Sequence, residues 1–155
     1  MFMTPAQHAQ HFLDEANIGD GPVDVEAIIK NNGIHVLYGE FADGIKVAAY
    51  TDTNPLRIVV NKEMSVEDKQ YAMALEFGRN ILSPEVVRDD DAYTALLQSH
   101  VKVGHPSGTL KDACDFACAL VAPRHIVARL KDVATPQELR SVFLAPAWMI
   151  MRQSA

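Results

Sequence analysis

An α+β architecture is what this sequence predicts, on three observations. Apolar residues recur at helical spacing near the N-terminus, the pattern shortens to β-branched runs between residues 34 and 61, and helical spacing returns from residue 65 onward. At 155 residues, 48% of them apolar, the chain is long enough for one core and short for two, so one domain over 1–155 is expected.

Thr4 followed by Pro5 is an N-cap and first-turn signal, and predicts a helix to about Asn17, where IGDGP breaks it. A second helix, about Val25 to Asn32, starts from Asp24 and stops at Gly33, with Ala27, Ile28 and Ile29 as its apolar face. IHVLYGEF, IKVAAYT and LRIVVN are short β-branched segments separated by ADG and DTNP, and read as a three-stranded meander. SVEDKQYAMALEFGRNILS predicts an amphipathic helix, with Ser65 and Asp68 placed as a capping box. RDDDAYTALLQSH predicts a short helix whose aspartates form a solvated start at the positive end of its dipole, and GHPSG a loop. A helix from about Thr109 to Val121 ends before Pro123, and HIVARLKDV continues as another. Thr135, Pro136 and Glu138 combine an N1 proline with a capping box, and Pro146 splits the tail into a short helix pair over 136–153.

Composition narrows the function classes. A net charge of −6 and an isoelectric point near 5.4 suit a phosphate backbone poorly, so nucleic acid is not an expected partner. The N-terminus lacks the basic-then-apolar pattern of a signal peptide, and no apolar run reaches the roughly 18 residues a bilayer needs, which predicts a cytoplasmic protein without membrane association. Cys114 and Cys118, four apart on a helix, are too few for a disulfide framework. They read as small buried hydrophobes, since no histidine is fixed beside them to make a nucleophile.

Four segments in order resemble the ImmA/IrrE family of regulatory zinc metallopeptidases. PVDVEAIIKNNGIHVLYGEF is similar to the family's opening helix and first strand, and LRIVVNKEMSVEDKQYAMALEFGRNIL to the strand and helix that carry its His-Glu-x-x-His motif. LKDACDFACALVAP resembles the later helix through Ala113, Phe116, Ala117, Leu120 and Pro123, and LRSVFLAPAWMIMRQ resembles the closing short helix pair. The resemblance covers nearly the whole chain and implies a zincin-like domain, a three-stranded sheet packed against several helices.

In a zincin, two histidines at i and i+4 bind zinc with a distant Glu, and the Glu inside the motif activates the metal-bound water. On this sequence the resemblance puts the histidine positions at Leu75 and Arg79 and the general-base position at Glu76. The third-ligand position falls at Leu110, or at Asp112 with a shift of two residues. Leu has no lone pair to offer and a guanidinium carries only donors, so no metal or other cofactor is expected there. A site outside the family pattern, drawing on His8 and His11 or on His105 near the two cysteines, stays open at this level. Glu76 is then a vestigial general base, whose ordinary reading is an i,i+3 helix pair with Arg79. We expect Arg79 to replace the missing cation, reaching Glu76 and also Asp112 or Asp115, with Leu75 filling the volume of the other histidine.

The function this implies is that of a catalytically degenerate pseudopeptidase, a protein-binding regulator in a phage, plasmid or stress-response circuit. A helix-turn-helix repressor is the partner that the resemblance suggests, held in a cleft between the 66–82 and 109–121 helices framed by Ala74, Phe77, Phe116 and Leu120. One alternative is an active metallopeptidase with an unorthodox metal site that cleaves such a repressor. Another is a DNA-binding regulator using the C-terminal helix pair, although Arg140 and Arg152 are the pair's only basic residues. Trp148, Met149 and Met151 of that pair read either as core or as a partner surface.

Overall fold

A computed structural model describes residues 2–19, 21–41, 49–53, 56–84 and 109–155. Among them are seven helices and a three-stranded sheet: α1 (Pro5–Glu15), α2 (Val25–Asn31), β1 (His35–Gly39), β2 (Ala49–Thr53), β3 (Leu56–Asn61), α3 (Val66–Leu82), α4 (Thr109–Val121), α5 (Arg124–Leu130), α6 (Pro136–Phe143) and α7 (Ala147–Gln153). The fold is α+β, as the residue pattern predicts. The helix expected over 88–100 and the loop over 104–108 lie outside the described residues.

Local chemistry sets the helix ends. Thr4 and Gln7 form a full capping box at α1, as Thr135 and Glu138 do at α6, each with proline in the first turn. Asp24 caps α2 through the Ala27 N–H, and Ser65 caps α3 through the Asp68 N–H. Behind α2, Gly33 takes φ +82°, the left-handed conformation that glycine adopts without steric cost. Val25, rather than Ala27, joins Ile28 and Ile29 on the buried face of α2.

The sheet is not a meander. Its order is β1-β3-β2, with β1 parallel to β3 and β2 antiparallel to it. The most apolar segment, LRIVV, takes the centre: Ile58, Val59 and Val60 are all buried, so both faces of β3 are covered and both its edges paired. A strand buried on both faces reads as a continuous apolar run, and that run outweighs the sequence neighbourhood that would have put β2 in the middle.

Helix α3 is the axis of the core. Every residue from Ala72 to Arg79 is buried, so its central turns are enclosed on all sides rather than amphipathic. The sheet lies on one side, α4 packs along another, and α1 crosses α4. Phe12, Phe77 and Phe116 meet where these three helices converge, with ring centroids 4.9 to 6.1 Å apart.

The α3–α4 approach depends on Gly78. A Cβ there would lie 2.7 Å from Phe116 Cδ1 and 3.2 Å from the Ala113 carbonyl oxygen, and Phe116 is fully enclosed. Gly78→Ala gains about 1 kcal/mol of helix propensity, but overpacking a rigid contact costs about 1–3 kcal/mol or more. Urea denaturation should show net destabilisation, and a more stable variant would mean that the two helices are not in this contact.

Candidate functional site

At the centre of α3 lies a polar group enclosed by the core. Glu76 has no exposed surface and Arg79 only 2%, and Arg79 Nη1 donates to Glu76 Oε1 at 2.6 Å. The hydroxyl of Thr51, buried on β2, donates to Glu76 Oε2 at 2.8 Å. Asn80 Nδ2 donates both to Thr51 Oγ1 at 2.9 Å and to the Glu76 carbonyl oxygen at 2.8 Å. Each oxygen of the carboxylate therefore receives a donor, and the hydroxyl supplying one is itself held by Asn80.

Magnitudes separate this group from an ordinary helix pair. An exposed i,i+3 contact contributes a few tenths of a kcal/mol, whereas a carboxylate removed from water costs several kcal/mol unless countered. The charge-assisted bonds from Arg79 and Thr51 supply that counterbalance. The pair is thus a condition for enclosing the middle of α3.

Leu75 is buried beside the pair, and Leu110 is half-buried on α4 against the core. Asp112 is exposed on the solvent side of α4, so it is not brought to the other positions. Asp115 is bound by Lys111 at 2.9 Å and by the guanidinium of Arg152 from α7. The expected bridge from Arg79 to Asp112 or Asp115 is corrected accordingly: the Glu76–Arg79 pair links α3 to β2 through Thr51, while the link from Asp115 runs from α4 to α7. The donor set does not fit zinc. Leu75 and Leu110 offer no ligand atom, and the carboxylate that would face a metal-bound water is engaged by Arg79 and Thr51.

The expected cleft is corrected as well. Ala74, Phe77, Phe116 and Leu120 are completely buried, so they form core between α3 and α4 instead of lining a groove. His11 pairs with Glu15 at 3.1 Å on the exposed side of α1, and His8 is half-buried one turn earlier. His105 lies outside the described residues. Among the described residues, no three of His, Cys, Asp and Glu gather into a metal-sized cluster.

The C-terminal pair divides its apolar residues. Met149 and Ile150 are core, and Trp148 packs edge-on to Tyr71 at 4.9 Å. Met151 is 73% exposed and Trp148 40%, with Val142 and Leu144 also exposed nearby in the chain. No helix among the described residues is long and apolar enough to cross a membrane.

Thr51 and Asn80 are the site residues that the sequence reading missed. Asn80 lies four residues after Glu76, a spacing that marks it as a neighbour on the helix surface. Thr51 is 25 residues away, and only the sheet pairing brings it near.

No family model matches the chain, and no curated protein sequence does. Among solved structures, its fold is similar to that of a Mycobacterium tuberculosis transcriptional regulator, with a TM-score of 0.63 at 14% identity. The likeness covers 94% of this chain and 44% of that one, so the chain spans less than half of that protein's length.

Two substitutions test the buried group. Arg79→Met keeps bulk but leaves the Glu76 carboxylate uncompensated, and should cost about 3–5 kcal/mol. Thr51→Val keeps shape and removes one donor, for a loss of about 1–3 kcal/mol. Urea melts measure both, and losses below about 0.5 kcal/mol would place the pair in solvent instead.

Proposed function

We propose that this protein is a regulator that acts by binding another protein, built on a zincin-like fold of the ImmA/IrrE kind whose catalytic centre has been repacked. The observation that carries the reading is the state of Glu76. A general base must face a water that it can deprotonate, and this carboxylate is enclosed with Arg79 on one oxygen and Thr51 on the other. The substitutions at Leu75 and Arg79 then form one change: the ligands are replaced by an apolar filler and a fixed cation.

With the α3–α4 space closed, partner binding falls to the surface. The C-terminal pair offers the exposed apolar residues Val142, Leu144, Trp148 and Met151. A helix-turn-helix repressor, the partner class that the resemblance suggests, presents the amphipathic helices such a surface accepts. The likeness to a transcriptional regulator supports a regulatory role at this coarse level. Protein contact is favoured over DNA contact because Arg152 is committed to Asp115, which leaves the exposed Arg140 as the pair's main basic group.

The test uses a helix-turn-helix regulator from the native host, titrated calorimetrically with the full chain. Met151→Glu should weaken binding at least about tenfold by placing a charge in an apolar contact. Glu76→Gln, away from that surface, should bind as wild type does at a temperature where circular dichroism shows it folded. Cleavage of the regulator by wild type but not by Glu76→Gln, together with about one zinc per chain by elemental analysis, would overturn the reading in favour of a peptidase.

A further inference from the structure

Cys114 and Cys118 lie one turn apart on α4, both buried, yet Cys114 does not have the apolar surroundings of an inert core thiol. The Tyr71 hydroxyl, from α3, donates to its sulfur at 3.5 Å, and Arg152 Nη1, from α7, donates at 3.4 Å. The Cys118 thiol lies one turn further along the same helix. Asp115 holds the other end of the Arg152 guanidinium and is bound in turn by Lys111, so the cation is fixed with one nitrogen toward the sulfur.

We propose that Cys114 is a modification site, a nucleophilic sulfur held by donors from the two helices α3 and α7, which small peroxides convert to a sulfenate. The assignment is independent of the protein-binding reading. The neighbouring Cys118 thiol above all, then the bonds from Tyr71 and Arg152, bring the Cys114 thiol down to about 6 against the opposing effect of burial. Cys118, buried beside that sulfur, is pushed far up. Cys114 is thus the more readily ionised of the two, and the thiolate is the reactive form.

Access fits a small oxidant. Arg152 and Asp115 also line an open groove of about 580 Å³ with Lys111, Arg124 and Gln153, so the sulfur lies one side chain beneath the surface. In the reaction the thiolate attacks one oxygen of hydrogen peroxide, the S–O bond forms as the O–O bond breaks, and the sulfur is oxidised by two electrons. The hydroxide released takes the proton of the nascent sulfenic acid and leaves as water, so the product is the sulfenate. Arg152 and Tyr71 are placed to hold the sulfenate oxygen. The product stops short of a disulfide, because Cβ atoms four residues apart on an intact helix are about 5–6 Å apart, beyond the roughly 3.5–4.5 Å that a bridge requires. The added oxygen has to enter the space that Tyr71 and Arg152 fill, so it should disturb the contact between Tyr71 and Trp148, the chain's one tryptophan.

The experiment exposes the full chain to hydrogen peroxide with dimedone at pH 6.5, and follows labelling of each cysteine by mass spectrometry, folded and in urea. An ordinary thiol is about 1% thiolate at that pH. Cys114 in the folded chain should be labelled at least about tenfold faster than Cys118, and faster than Cys114 in urea. Tyr71→Phe and Arg152→Gln should each slow it several-fold, and the Trp148 emission should shift in wild type but not in Cys114→Ser. Folded Cys114 reacting no faster than in urea, or the two cysteines reacting alike, would overturn the assignment. Tyr71→Phe keeps the ring against Trp148, so it tests the hydroxyl even where Arg152→Gln fails to fold.

Discussion

The ion pair between Glu76 and Arg79, closed inside the core and completed by Thr51, is the constraint on which the rest of the structure depends. A carboxylate in the middle of a fully enclosed helix needs a donor on each oxygen. One comes from α3 itself and the other only from β2, so the position of the sheet relative to α3 is set by a polar contact. The opposite side of α3 obeys a different rule. There Gly78 lets the ring of Phe116 approach the backbone, and the contact is apolar and close. One helix thus joins the sheet by charge and α4 by shape.

Helix ends were legible in the sequence because their chemistry is local. Thr135 and Glu138 meet across three residues, and the same short range governs Thr4, Asp24 and Ser65. Strand order was not legible from turn signals. It follows from which run is apolar enough to be covered on both faces, and LRIVV is that run. In the candidate site, the spacing of Glu76 and Arg79 announced their pairing, but not that the pair would be enclosed. Its enclosure depends on Thr51, whose approach requires the sheet to be assembled first. Arg152 was missed as a partner of Asp115 for the same reason, since it is 37 residues away and arrives with α7.

The last helix is tied to the molecule by more than apolar packing. Gln153 donates to the carbonyl oxygens of Cys118 and Ala122 at 3.2 and 2.9 Å, which satisfies acceptors at the C-terminal end of α4. Arg152 adds its bonds to Asp115 and Cys114. These ties leave Trp148 and Met151 facing outward on a helix that is itself anchored, which suits a contact surface better than a loose tail would. Arg152 also ties Cys114 to the helix that carries those exposed residues.

A double-mutant cycle between Glu76→Gln and Arg79→Met, read by urea denaturation, tests the central claim most directly. If the pair is enclosed and mutually dependent, the double variant loses far less than the sum of the singles, with a coupling of at least about 1.5 kcal/mol. A coupling below about 0.5 kcal/mol, the range of a solvent-exposed pair, would contradict the account.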